Sequence, residues 1–538
     1  MARPTHQFSQ TKRAEIPRSS FDLSHGLKTA MDAGYLVPIL SLEVLPGDTI
    51  NCKASLFGRL ATPIKPILDN LWLETFFFFT PYRQIWEHWV NLNGESPTPL
   101  DSTDYVVPVL AGPHITVEGG ALDYMGIPPG TDLSQVKVNA MPFRCITWIY
   151  ANWFRDQNII DLPALQTDDG PDPVDGNGYE ILYRRRKRRD YLTSVLPWPQ
   201  KSQPIMVPLG ETAPVIGIGM PSNTSIGGVS PSLVDSEQRG VVYANAIGAV
   251  SGSPTIYFKG TSAGTEADDL LDIYADLSQA EGISINDLRE SFQIQRLFER
   301  DARGGTRYPE ILKSHFGVTD PSMLVHQRPL FLGGGSSMIN INPVQQTSGS
   351  PDETNYTPTP QGNLAAYGTV SGRNHGFTQS FTEHGHIIGF ANIRADLTYQ
   401  QGLERYWSRQ TRFDFYWSAL SHLGEQAVLN KEIYISNDPL VDDEPFGYIP
   451  RYDEYRYKQS QITGIFRSSA TASLDVWHLA QDFASLPVLN QAFIEDNPPI
   501  DRVIATVDEP HMLLDVYFKI RAARPLPLYA TPGLIDHF

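Results

Sequence analysis

A chain of 538 residues that is 41% hydrophobic and 11% aromatic but only 19% charged has ample apolar material for a large core, which excludes intrinsic disorder. Its net charge of -18 means that the average surface repels nucleic acid, so contact with a polyanion requires a local basic face. The 42 glycines and 42 prolines are spread along the whole chain, favouring short strands and long loops, and the two cysteines, Cys52 and Cys145, are too few for a disulfide framework and read as small buried hydrophobes.

Residues 1–30 are polar and broken by Pro4 and Pro17, the pattern of an arm draped on something larger. Strand patterns begin at Tyr35 to Leu45 and recur at Leu71 to Thr80, where Phe76, Phe77, Phe78 and Phe79 make a strand apolar on both faces, suited to lie between two layers. Pro81 then opens a helical segment with Ile85 and Trp89 on one face and Asn93-Gly94 at its end. A second short helix follows Met141, with Ile146, Ile149 and Trp153 at helical spacing.

Residues 210–280 are rich in glycine, serine and threonine and carry eight acidic against two basic side chains, the composition of a water-exposed insertion between patterned regions. A capping box at Ser284 and Asp287 then starts a helix whose Ile285, Leu288, Phe292 and Phe298 form one stripe and which Gly304-Gly305 stops. Gly333-Gly334-Gly335 reads as a turn. Strand patterns return from Gly376 onward, and Met512 to Ile520 alternates, with Leu514, Val516, Phe518 and Ile520 on one face and Asp515, Tyr517, Lys519 and Arg521 on the other. Many strands at both ends with long loops between them predict a mainly β protein whose sheets draw on distant parts of the chain.

Six consecutive cations, Arg184, Arg185, Arg186, Lys187, Arg188 and Arg189, form the candidate nucleic-acid contact, neutralising phosphate without reading bases. The alternative is a solvated loop, or charges paired with acidic neighbours. Lys519, Arg521 and Arg524 add cations near the C-terminus. Trp153, Tyr183, Tyr191 and Trp198 flank the run and can stack on unpaired bases, although core packing is the commoner fate of aromatics. Glu383, His384 and His386 are the most enzyme-like cluster, yet no carboxylate follows His386 at cupin spacing, and strand-end hydrogen bonding is the default for such histidines. There is no Gly-Lys dipeptide for a phosphate loop, and no His-Glu-x-x-His occurs. No catalytic site, metal or cofactor is expected. No run reaches the roughly 18 apolar residues that span a membrane, and the start lacks the apolar core of a signal peptide, so the expectation is a protein made in a cytoplasm without membrane insertion.

Several stretches carry a more specific likeness. Phe21-Asp22-Leu23-Ser24-His25, Phe78-Phe79-Thr80-Pro81-Tyr82-Arg83, Asp190-Tyr191-Leu192-Thr193-Ser194 with Leu196-Pro197-Trp198-Pro199-Gln200-Lys201, Glu299-Arg300-Asp301-Ala302-Arg303-Gly304-Gly305-Thr306-Arg307-Tyr308 and Glu383-His384-Gly385 resemble the major capsid proteins of the Microviridae, in particular the gokushovirus branch. The resemblance runs in order over nearly the whole chain. It implies an eight-stranded viral jelly-roll with long inserted loops, assembled into a T=1 icosahedral shell around a circular single-stranded DNA genome, with 210–280 at the place of the threefold protrusion loop. The expected partners are other copies of the chain, packaged single-stranded DNA, internal DNA-binding and scaffolding proteins and a host surface receptor met by the insertion. The expected location is the virion, assembled in the cytoplasm of a bacterial host. The expected organisation is an N-terminal arm over 1–30 and one jelly-roll domain over 31–538 that contains the insertion. A metal-binding cupin-like enzyme and a glycan-binding β-sandwich are the alternatives from other functional classes.

Overall fold

The computed structural model describes residues 17–529 except 96–97, 99–101, 103, 175–178, 305–309, 311–312, 316, 318–327, 345–348, 353–354 and 359–364, and within 202–284 only six short strand segments. The chain divides into two compact units, one made of 1–199 with 306–538 and the other of 200–305.

The larger unit is organised by one antiparallel sheet of nine strands: β1 (Ser19–Asp22), β2 (His25–Met31), β3 (Val37–Val44), β4 (Thr49–Leu60), β5 (Leu71–Pro81), β6 (Leu330–Pro343), β7 (Ala366–Ser380), β8 (Gly385–Ala395) and β9 (Met512–Arg524). β2 pairs with β9 over Met31 to His25, and β1 continues along the same side of β9 over Asp22 to Ser19. The sheet then runs β9-β4-β7-β6-β5-β8-β3. One half is therefore β2-β9-β4-β7 and the other is β3-β8-β5-β6, joined where β6 pairs with β7. Strands that alternate between the halves along the chain except for β5 and β6, which share one, curled so that both halves face one core, make this an eight-stranded jelly-roll with β1 as an extension.

The period-2 patterns place the core. On β9, Leu514, Val516, Phe518 and Ile520 are buried, while Asp515, Tyr517, Lys519 and Arg521 are exposed. On β5, Phe77 and Phe79 enter the core between the two halves with Leu56, Phe377 and Ile387, whereas Phe78 enters a second core on the outer face with Phe390, Ile146 and Ile149. That second core is completed by α1 (Met141–Ile149) and the wider helical turn Tyr150–Phe154 that follows it. The tetra-phenylalanine run thus separates two layers, as its apolarity on both faces implies. Cys52 and Cys145 are buried one in each core, and burial raises both thiols, Cys52 to about 12. They are inert packing residues.

Three local expectations change. Residues 19–31 are not a draped arm: they supply β1 and β2, whose bonds to β9 are main-chain and so need no apolar alternation to form. The helix after Pro81 is two separate turns, Tyr82–Gln84 and Trp89–Leu92, because the Glu87 amide donates to the Thr167 carbonyl instead of continuing the helix; Gly94, at φ 96°, closes the second turn. Gly333-Gly334-Gly335 is the middle of β6, not a turn, and sits beside a bulge between Phe331 and Gly333. A Cβ on Gly334 would lie 2.0 Å from the Thr75 carbonyl oxygen, and one on Gly333 would lie 2.5 Å from that of Gly376. The glycines are there because neighbouring backbones approach too closely for any side chain.

In the smaller unit, the predicted helix is present as α2 (Ile285–Gly304), with Asp287 in its first turn and Arg303 in its last, each favourable to the helix dipole. Most of the 210–280 insertion lies outside the described residues, and so does residue 284 of the capping box. Among the described residues no helix is long and apolar enough to cross a membrane.

Candidate nucleic-acid interface

The basic run is an extended segment held between two others. On one side, the Arg185 amide donates to the Gly34 carbonyl and the Leu36 amide to that of Tyr183; on the other, the Lys187 amide donates to Ile494 and the Asp496 amide to Arg185. Gly34, at φ 84°, has to be glycine, since a Cβ there would lie 2.0 Å from the Asp496 carbonyl oxygen. Main-chain pairing on both sides fixes where each cation goes.

Most of them turn inward to partners. Arg184 lies over the Tyr35 ring at 4.0 Å and donates to Tyr35 Oη and Asn497 Oδ1, each at 2.8 Å. Arg185 ion-pairs with Glu74 of β5, whose other oxygen takes Arg188 at 3.1 Å; Arg394 of β8 approaches the same carboxylate at 3.7 Å. Burial alone would raise Glu74, but the three guanidiniums of Arg185, Arg394 and Arg188 outweigh it and hold the carboxyl below its usual value. Arg188 also reaches Asp396 at 3.0 Å, and Arg394 reaches Asp496 at 3.3 Å. Lys187 is buried, donates to the Phe493 carbonyl at 2.6 Å and lies over that residue's ring; burial lowers its pKa to about 8 against the pull of Asp496 and Asp190. These four cations are paired within the chain, the arrangement the sequence had left open beside genome contact.

Two cations differ. Arg186 reaches Asp156 at 3.3 Å, but its Nε is buried with no partner. Burial and then the neighbouring Arg189 charge lower the Arg186 pKa to about 10. Arg189 is exposed.

Arg185 to Arg189 and Arg394, together with Phe76, Phe78, Trp153, Phe154 and Phe331, line an open cleft of about 430 Å³, in which the Arg185 guanidinium lies over the Phe76 ring at 4.6 Å and the Phe154 ring at 5.7 Å. No acidic side chain lines it. Of the flanking aromatics singled out in the sequence, Trp153 reaches this cleft. Tyr183 stacks on Tyr150 at 4.0 Å, Tyr191 is buried and donates to Glu432 at 2.8 Å, and Trp198 is half-buried; none of the three lines the cleft. Phe331 and Arg394 escaped notice because they lie more than 140 residues downstream of the run and are brought to it only by the order of the strands.

The enzyme-like histidines are engaged structurally. His386 is buried at the start of β8, its Nε2 2.7 Å from Ser41 Oγ and its Nδ1 3.1 Å from Tyr82 Oη, and the His384 ring packs edge-on against Trp89. Among the described residues no group of three or more His, Cys, Asp or Glu side chains is placed to hold a metal.

This jelly-roll, with a cationic cleft on an acidic chain and no assembled catalytic cluster among the described residues, matches the family model for capsid protein (F protein) over residues 9–534. The chain belongs to the capsid protein (F protein) family. It is 43% identical to capsid protein VP1 of Bdellovibrio phage phiMH2K over 99% of this chain and 98% of that one. It is 40% identical to capsid protein VP1 of Chlamydia phage 1, over 98% of each, and 35% identical to that of Spiroplasma virus 4, over 98% of this chain and 97% of the relative. As a member of this phage coat-protein family it is the major capsid protein of a Microviridae-type phage, a structural protein and not an enzyme, located in the virion. Membership implies assembly with copies of itself.

Proposed function

We propose that the protein forms a T=1 icosahedral shell enclosing circular single-stranded DNA, assembling in the host cytoplasm with internal DNA-binding and scaffolding proteins. The observation that carries this reading is the full-length family match on a jelly-roll that also presents a cation-lined cleft. A strongly acidic chain would otherwise repel a packaged polyanion, and the cleft is where that repulsion is locally reversed. Within the Arg184 to Arg189 run, the exposed Arg189 is the group left for phosphate, while Arg184, Arg185, Lys187 and Arg188 hold the segment in place. Host attachment is assigned to the 210–280 insertion on its acidic, Gly-rich composition.

The test is electron microscopy of the protein co-expressed with its neighbouring viral genes, with quantification of nuclease-protected DNA. Uniform small icosahedral particles holding protected single-stranded DNA are expected, and small oligomers without DNA would overturn the reading. For the insertion, deletion of 210–280 is expected to abolish host attachment and leave assembly intact; deleted particles that fail to assemble would remove the attachment role.

A further inference from the structure

We infer that the cleft beside Arg186 and Arg189 holds one unpaired nucleotide of a single strand, its phosphate on the exposed Arg189 and its base against the Phe331 ring beside Trp153. This rests on the proposal that the basic run meets the genome, and it adds a base pocket to a charge contact.

The electrostatics ask for an anion. Every charged residue lining the cleft is a cation; of the carboxylates that pair with them, Glu74, Asp156 and Asp496 are largely buried and Asp396, on Arg188, is 40% exposed. Arg186 is engaged by Asp156 at 3.3 Å and its partnerless Nε is buried, whereas Arg189 is exposed and its charge bears on Arg186. A phosphate that accepts from Arg189 would offset that repulsion.

The exposed rings of the cleft ask for a flat apolar group. Trp153 and Phe331 keep 37% and 42% of their surface exposed, with ring centroids 6.0 Å apart, and both rest on Phe78, which is fully buried. Trp153 Nε1 donates to the Pro329 carbonyl at 2.8 Å and the Arg328 guanidinium lies over its ring at 4.6 Å, so the exposed Phe331 ring is the larger apolar surface left for a base. Large rings held in fixed orientation beside a row of cations form the platform on which unpaired bases stack. A volume of about 430 Å³ falls in the ~300–1,000 Å³ range of small-ligand sites. Bases in a duplex have their faces stacked already, so the pocket selects single strands.

The experiment is fluorescence anisotropy of the full-length unassembled chain with two labelled probes of equal length at one salt concentration, an oligothymidylate and its abasic deoxyribose-phosphate counterpart. The expected result is about tenfold tighter binding of the thymidylate. Phe331→Leu, or Trp153→Leu if the first variant does not fold, should abolish that difference. Arg189→Gln should weaken both probes and reduce the salt slope by about one. Equal affinity of the wild-type chain for both probes would overturn the base pocket while leaving the charge contact intact. Unchanged binding of both probes to Arg186→Gln and Arg189→Gln variants would overturn the charge contact and the pocket with it.

Discussion

Arg144 of α1 and Asp172 are buried together and joined by two parallel hydrogen bonds, Nε to Oδ2 at 2.7 Å and Nη2 to Oδ1 at 2.5 Å. Arg144 also donates to the Ile85 carbonyl at 3.0 Å, and Tyr179 donates to Asp172 at 3.1 Å. The pair ties the helix on the outer face of the sheet to the loops beside it. Removing one partner leaves an uncompensated buried charge, so Asp172→Ala is expected to destabilise the unassembled subunit by about 3–5 kcal/mol. Arg144→Met combined with Asp172→Ala should cost less than Asp172→Ala alone. Denaturant unfolding checks both, and a double variant worse than the sum of the singles would contradict the pairing.

Glu74 and Arg189 should behave oppositely although both belong to the cationic site. Glu74→Gln strips the counter-charge shared by Arg185, Arg188 and Arg394 and is expected to cost about 3 kcal/mol or more. Arg189→Gln touches an exposed side chain and should stay within about 0.5 kcal/mol. In particles, Arg189→Gln should lower packaged DNA without preventing shell formation, measured as nuclease-protected DNA per particle.

His386 makes the subunit sensitive to acid. Burial lowers its pKa to about 4 from an ordinary value near 6.5, so between these limits the unfolded chain binds a proton that the folded chain refuses. Stability therefore rises as pH increases from about 4 to 6.5 and is lost as pH falls through that window. The full effect is on the order of 3 kcal/mol. Thermal melts across the window should show a slope that His386→Gln flattens, and an unchanged slope in that variant would assign the acid sensitivity elsewhere.

The glycine pair Gly334 and Gly26 offers a backbone test. Gly334→Ala would drive a methyl into the Thr75 carbonyl and is expected to destabilise by about 3 kcal/mol or to prevent soluble expression. Gly26→Ala meets nothing nearer than 3.8 Å and should be neutral or slightly stabilising, because alanine costs less backbone entropy in a strand. Matched melting curves decide between them.

Much of this molecule is written in local patterns. The alternation of Leu514, Val516, Phe518 and Ile520 assigns one face of β9 to the core, because a strand turns successive side chains to opposite sides whatever surrounds it. The doubled apolarity of Phe76 to Phe79 announces a strand between two layers, and Ile146 with Ile149 marks the helix that forms the outer one. The order of characteristic stretches along the chain by itself points to the coat-protein family.

Other features had no local signature. The polarity of Ser19 to Met31 hides two strands, since pairing to β9 uses main-chain groups that every residue possesses. Three glycines in a row look like a turn until Thr75 and Gly376 are seen crowding them from either side. The character of the basic run was decided entirely by distance in space. Glu74, Asp396 and Asp496 lie from about 100 to 300 residues away in sequence, and only sheet pairing brings them to Arg185, Arg188 and Arg394. Charge and periodicity are properties of neighbours along the chain, and so the sequence by itself determined the apolar and alternating strands, their buried faces and the family. Burial, ion pairing and the aromatic ring that Phe331 adds to the cleft depend on contacts between remote segments, and those only the tertiary structure decided.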